Sequence, residues 1–329
     1  MRRRALWLAA SLFVAAVPAF AQTAAAPLKL RFAHAHPEAD GQHKAALRFA
    51  QLVKERSGGQ LEIAVFPNSS LGNDQAMISG VRGGIIDIEL SGTPYFTGIS
   101  PRMNVLDLPF MFRDAAHAHK ALDGTIGRGL LDDLGAHGMK GLAFWEVGFR
   151  QITNSRRAVK GPEDVKGLKL RTTPNPAHLK AFEALGANPV PMALGELYQA
   201  LESGAVDAQE HPVEITWSAK FYEVQKHLSM TRHAYTALVL TMNKAKFDAL
   251  PAAQQQVLVE ASQEAARFQR ELNARNETQI VGELKKKGMQ VVETVDAAPF
   301  RKVLLEKVKQ TYLEKNGPEV LTAIDAARR

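Results

Sequence analysis

The residue of this chain best placed for chemistry is an arginine at the end of a short strand, just before a proline-rich break. Leu168 and Leu170 alternate with Lys169 and Arg171 as a half-buried strand does, and Thr172-Thr173-Pro174-Asn175-Pro176 continues neither a helix nor a central strand. The strand is therefore expected to stop at Arg171. In an open α/β sheet, ligands occupy the crevice beyond the carboxyl ends of strands. A guanidinium there presents five N–H donors in a planar fork that suits a carboxylate. The competing reading is a surface arginine paired with a nearby acid.

Other chemistries are less well served. His34 and His36, with His43, have a metal-like spacing, yet alternate residues of a strand end give the same pattern, and only Glu38 and Asp40 stand near enough in sequence to complete a set. No metal and no cofactor are expected. Gly124-Thr125-Ile126-Gly127-Arg128-Gly129 breaks the dinucleotide order Gly-x-Gly-x-x-Gly, and neither a Gly-Lys-Ser/Thr phosphate loop nor a Gly-x-Ser-x-Gly nucleophile turn occurs. The chain has no cysteine, which excludes disulfides, thiolate catalysis and cysteine metal sites.

The N-terminus carries Arg2, Arg3 and Arg4, an apolar run from Ala5 to Val17, and Ala19-Phe20-Ala21, the pattern of a secretory signal peptide cleaved after about Ala21. Its loss removes three arginines and no acids, which lowers the formal charge from +7 to +4. Lys285-Lys286-Lys287 ends a helix, where cations suit the dipole, and no basic block is interleaved with aromatics, so no nucleic-acid partner is expected. A mature chain of about 308 residues exceeds the size at which one core stops growing, and two lobes follow.

The elements that must position Arg171 read as strands alternating with helices, and hence as a largely parallel sheet. Strands are expected at Leu28–Ala33, Leu61–Phe66 and Ile85–Leu90, with helices from about Gly41 to Arg56 and from about Asn73 to Arg82. Met77 to Ile88 can be laid on Leu197 to Ala208 without a gap. In both, an apolar helical pattern ends in glycine, two apolar residues follow, and then aspartate. Two lobes on one strand-helix-strand plan are inferred. From Pro251 to about Lys287 a single helix would run ~50 Å, with apolar residues at both ends and a polar middle at Asn273 to Gln279, as if it packed on one lobe, crossed a gap and packed on the other. Two helices broken near Asn276 would read the same way.

Several runs together carry a resemblance: Gly148-Phe149-Arg150-Gln151-Ile152-Thr153-Asn154-Ser155, Gly167-Leu168-Lys169-Leu170-Arg171, Glu196-Leu197-Tyr198-Gln199-Ala200-Leu201, and Gly204 through Pro212. Leu106 through Asp114 and Lys220-Phe221-Tyr222-Glu223-Val224 add to it. In order and spacing, over essentially the whole mature chain, it resembles the DctP-like solute-binding proteins of tripartite ATP-independent periplasmic (TRAP) transporters. The resemblance implies a bilobal α/β periplasmic-binding-protein fold, two mixed or parallel sheet lobes joined by crossing strands and a long helix. It also implies an organic acid closed into the cleft and delivered to the small and large membrane subunits of a permease. The lobes would comprise residues 22–147 with 237–276, and 148–236 with 277–329. A periplasmic monomer that is not an enzyme is expected.

Residue by residue, the resemblance makes Arg171 the partner of the ligand carboxylate and Arg150 a second cleft arginine, or else a brace of the hinge. His211 departs from the pattern, since many relatives carry asparagine there. Its flat imidazole puts the usual dicarboxylate or sugar-acid assignment in question. On the facing lobe the corresponding places hold His34 and His36, Asn73 and Asp74, and Ser91, Gly92, Thr93 and Tyr95, any of which could instead cap a helix or sit in a loop. Leu194, Trp217 and His233 are candidate walls. Tyr95, Leu194 and Trp217 together would favour an apolar or aromatic ligand body, although Trp217 is read more readily as core than as ligand contact. The alternatives from other classes are a bilobal periplasmic enzyme acting on an organic acid through His211 with Glu210 or Glu214, and a binding protein that feeds a sensor.

Overall fold

The computed structural model describes residues 26–327. The proposed signal segment at 1–21 lies outside them. The strands are β1 (Leu28–His34), β2 (Leu61–Phe66), β3 (Ile88–Gly92), β4 (Met139–Asn154), β5 (Lys169–Thr172), β6 (Asn188–Pro191), β7 (Ala208–His211), β8 (His227–Asn243) and β9 (Gln290–Val292). The helices are α1 (Gly41–Arg56), α2 (Asp74–Arg82), α3 (Ala115–Asp123), α4 (Thr125–Asp133), α5 (Pro176–Ala184), α6 (Leu194–Glu202), α7 (Val213–Ser218), α8 (Lys244–Asp248), α9 (Ala252–Lys286), α10 (Ala297–Leu304), α11 (Gln310–Asn316) and α12 (Glu319–Ala326).

The sheet runs in the order β2-β1-β3-β8-β4-β7-β5-β6, with β9 on the side of β8. Its two ends repeat one plan. In β1-α1-β2-α2-β3 the first strand lies between the other two and pairs parallel with both; β5-α5-β6-α6-β7 does the same. The aspartate shared by the two aligned segments has one job in both copies. Asp87 Oδ2 accepts from the Arg31 amide of β1, and Asp207 Oδ2 accepts from the Lys169 amide of β5, which ties the loop after each second helix to its central strand.

The middle of the sheet is the long antiparallel pair β4 and β8, which runs through both halves. Its register shifts between Glu146 and Gly148, where Gly148 has φ +113°. An L side chain is strained at that angle, so the bulge needs its glycine. Beside the bulge lies α9, one unbroken helix of 35 residues. Leu258, Ala261 and Ala265 bury one end and Ile280 and Leu284 the other, while 271–279 stay half-buried or exposed. Gln269 holds the bulge in both directions: its Nε2 donates to Glu146 O at 2.7 Å and its Oε1 accepts from the Glu146 amide at 3.0 Å.

Two strand boundaries differ from the sequence expectation. The third strand begins at Ile88, not Ile85, because the amides of Ile85 and Ile86 both donate to Gly80 O and close the end of α2; Ile85 is left 69% exposed. The strand carrying Arg171 extends one residue further, through Thr172. Among the described residues no helix is long and apolar enough to cross a membrane.

Candidate functional site

Each half of the sheet delivers its polar residues to one cavity at the ends of β1, β3, β5 and β7. The cavity has about 40 Å³ of free space and is lined by His36, Asp74, Pro94 and Tyr95 from one half, with Arg150, Thr173, Leu194 and His211 from the other. Local chemistry places them. Asn73 caps α2 by accepting from the Ala76 amide, which sets Asp74 at the first helical position facing the cavity. Asn175 caps α5 by accepting from the amides of Ala177 and His178, with Pro176 at the first helical position, and this stops β5 just beyond Arg171.

Arg171 is fully buried. Its Nε donates to Met192 O at 2.9 Å and its NH1 lies 3.3 Å from His211 Nε2. It forms no ion pair, although the Tyr95 hydroxyl approaches it. Burial lowers its pKa, as expected for a cation without a bound counter-ion. The neighbouring histidine has a defined tautomer. His211 Nδ1 stands 2.6 Å from Gln209 Oε1 and so carries the proton, leaving Nε2 to accept from Arg171. Burial first, then the charges of Arg150 and Arg171, hold His211 well below the usual imidazole range and keep it neutral.

Arg150 is in a different situation. Its Nε and NH2 grip the carboxylate of Glu210, the second at 2.8 Å, and NH1 donates to Thr236 Oγ1 at 3.0 Å. Thr172 Oγ1 also donates to Glu210 at 2.8 Å, and His233 Nε2 lies 3.3 Å from it. Burial opposes the charge on Glu210, but Arg150, foremost among its partners, holds the carboxyl well below the usual range. Glu210 is thus a fully committed counter-ion and has no lone pair free for a general base.

The remaining sequence candidates divide. His36, Tyr95 and Leu194 line the cavity. Ser91 is fully buried, with its hydroxyl beside the carboxyls of Asp74 and Glu89. Asn73 is spent on the α2 cap. His233 stands behind Glu210 and hydrogen-bonds Thr231 Oγ1. Trp217 lies outside the cavity: it stacks on Tyr222, ring centroids 5.2 Å apart, beneath the far end of α9. The aromatic wall expected from Trp217 is therefore absent from this cavity. His34 is bonded to His43, 3.1 Å between ring nitrogens, and to the His36 amide.

Glu214 lies outside the cavity. Its Oε1 accepts from the amide of Gly41, the first residue of α1, at 3.0 Å and so joins α7 to the opposite half. Burial and then the Asp40 charge push its carboxyl up to about 8, with Glu146 adding to the rise and the Gly41 amide and Lys44 opposing it. A carboxyl whose folded pKa exceeds its unfolded value binds an extra proton in the folded state. Its contribution to stability is therefore present at low pH and is lost as pH rises from about 4.5 to about 8. Glu214→Gln should gain stability relative to wild type by up to about 1.4 kcal/mol per pH unit across that window. Urea unfolding of both proteins at pH 5 and pH 8 measures it, and a difference independent of pH would refute the assignment.

Residues 32–315 match the family model for bacterial extracellular solute-binding protein, family 7 (DctP). The chain belongs to this family. As a family 7 protein it is 48% identical, over 96% of its length and 97% of the relative's, to the 2,3-diketo-L-gulonate-binding periplasmic protein YiaO of Escherichia coli. Among solved structures it resembles a TRAP periplasmic solute-binding protein from Polaromonas bound to D-erythronate, with TM-score 0.89, 37% identity, and coverage of 92% of this chain and 99% of that one. It also resembles the sugar acid binding protein DctPAm of Advenella mimigardefordensis in complex with galactonate, with TM-score 0.88, 34% identity, and coverage of 92% and 98%. The bilobal fold is common to these solute-binding proteins.

Proposed function

We propose that this family 7 protein captures a small hydroxylated monocarboxylic acid between its lobes and hands it to the small and large membrane subunits of a TRAP-type permease. The observation that carries this reading is Arg171, a fully buried guanidinium without an ion-pair partner. A buried charge left uncompensated is costly, and a carboxylate brought to the guanidinium removes that cost through charge-assisted hydrogen bonds. Because His36, Asp74 and Tyr95 line the cavity from one half and Arg150 and His211, with Arg171 against His211, from the other, a ligand touching both favours the closed arrangement over an open one. The names of the relative and the two neighbouring structures point to the same class of acid.

In this reading the chain is exported with cleavage after about Ala21 and acts in the periplasm as a monomer, with lobe boundaries near 147/148, 236/237 and 276/277. It binds without turning its ligand over, since Glu210 is committed to Arg150 and Glu214 to α1. Thermal shifts against hydroxy acids such as erythronate and galactonate, dicarboxylates and neutral sugars test it. A ligand at a hundred times its dissociation constant adds about 2.7 kcal/mol of stability. Upshifts confined to acids are expected; a response to neutral sugars alone, or to no acid at all, would overturn the proposal.

A further inference from the structure

Asn175 does two things at once. It is fully buried, in the turn just beyond Arg171 and β5. Its Oδ1 is used as the cap of α5, accepting from the Ala177 amide at 2.7 Å and the His178 amide at 3.2 Å. Its Nδ2 donates to Asp107 Oδ2 at 3.0 Å and Asn104 Oδ1 at 3.1 Å, with Thr97 Oγ1 at 3.3 Å. All three acceptors lie in the segment that follows β3, in the other half. Asp107 is itself fully buried and accepts from the Thr93 hydroxyl at 2.6 Å. Thr93 leads directly into Pro94 and Tyr95, which line the cavity, as does Thr173 on the side of Asn175. Two walls of the cavity are thus tied together by a side-chain amide that does not itself line it.

The residue type suits this double duty. Serine, threonine, aspartate and asparagine all cap helices, but only asparagine joins the capping oxygen to an NH2 group, which leaves two donors for another element. A groove of about 400 Å³ runs alongside, lined by Thr97 and Asn104 from one half and Pro176 and Ala177 from the other, so solvent reaches the edge of these bonds and can replace them when the halves part. Burial pushes the Asp107 carboxyl up to about 8, with Glu210 adding to the rise and Thr93 and Arg150 opposing it, so near neutral pH the seam closes over a neutral acid and not an anion. We propose that Asn175 is the latch of ligand capture, a positioning residue whose amide fastens the strand end carrying Arg171 to the Tyr95 wall once an acid is in place. The inference rests on the proposed capture between the halves and names the contact that holds them together. Bonds made on closing and lost on opening add to the free-energy difference between the two states, and so lengthen the time the acid stays bound without touching it.

Asn175→Ser keeps a good cap but is too short to reach Asp107, whereas Asn175→Ala loses both contacts. Stopped-flow binding of erythronate and galactonate should give a release rate about tenfold faster in Asn175→Ser than in wild type, the scale of one to two hydrogen bonds, with the association rate within about threefold. Asp107→Ala should do the same, and the double variant should be no worse than either single one. The chain has no cysteine, so spin labels at Ser79→Cys on α2 and Gln199→Cys on α6, both exposed positions, report the separation of the halves by pulsed EPR. Added Asn175→Ser should shift that distribution to larger separations. A release rate within about twofold of wild type overturns the latch. So does one that rises only in Asn175→Ala, in step with its loss of unfolding free energy, since that is the mark of a helix cap alone. If wild type binds neither acid, the capture reading falls instead, and the separations in the ligand-free chain decide the latch: an outward shift in Asn175→Ser supports it and an unchanged distribution overturns it.

Discussion

Arg171→Ala should weaken binding of the acid by about 30- to 4000-fold, the equivalent of the 2–5 kcal/mol lost when one member of a buried, hydrogen-bonded charge pair is removed. The ligand-free protein should lose nothing and gain stability. In this structure Arg171 is a buried cation with carbonyl and imidazole partners but no anion, and its deletion relieves that burial. These two changes of opposite sign separate a ligand anchor from a structural arginine. Arg171→Lys keeps the charge and loses the fork, so its affinity should fall between the two. Calorimetry with erythronate and urea unfolding without ligand measure both effects. Affinity within threefold of wild type, or an unfolding free energy that drops in the ligand-free state, would refute the assignment.

Arg171 was legible because every signal for it is local: alternation over four residues, then Thr-Thr-Pro-Asn-Pro. The repeated strand-helix-strand plan was legible for the same reason, since glycine, two apolar residues and aspartate recur at fixed spacing, and the structure shows what the aspartates do. The long helix carried its own evidence in an apolar pattern that persists at both ends. What stayed hidden depends on register between distant strands. Arg150 meets Glu210 because β4 and β7 pair antiparallel with Ile152 opposite Glu210, and nothing in either segment announces that alignment. Arg150 therefore read as a ligand arginine or a brace, and Glu210 as a candidate base, when each is chiefly the other's counter-ion. Trp217 was a candidate wall that read more readily as core, and α7 turns it away to Tyr222. The third strand was placed three residues early because two isoleucines resemble strand residues wherever they fall, and here their amides finish a helix.

That exchange of roles predicts the largest effect on stability. Glu210→Ala should cost about 3–5 kcal/mol, because it leaves Arg150 charged, fully buried and unpaired, and also removes the acceptor used by Thr172 and His233. Glu210→Gln keeps the shape and one acceptor oxygen and should cost less. The depressed pKa adds a pH signature. A carboxyl whose folded value lies below its unfolded value of about 4.5 contributes stability that is present above that pH and is lost as pH falls through the folded value. Wild type should therefore lose more stability than Glu210→Ala when acidified below about 4.5. Replacing both members with methionine tests the pair as a pair. The double variant no longer buries a lone charge, so it should recover much of the loss seen in Glu210→Ala, and coupling in the double-mutant cycle should be several-fold larger than for an exposed ion pair such as Arg102 with Asp133. If Arg150 instead served mainly to hold the ligand, removing Glu210 would free its fork for the acid, and ligand-free stability would change little while affinity rose. Unfolding curves and titrations on the same variants separate a brace from an anchor, and here the geometry favours the brace for Arg150 and the anchor for Arg171.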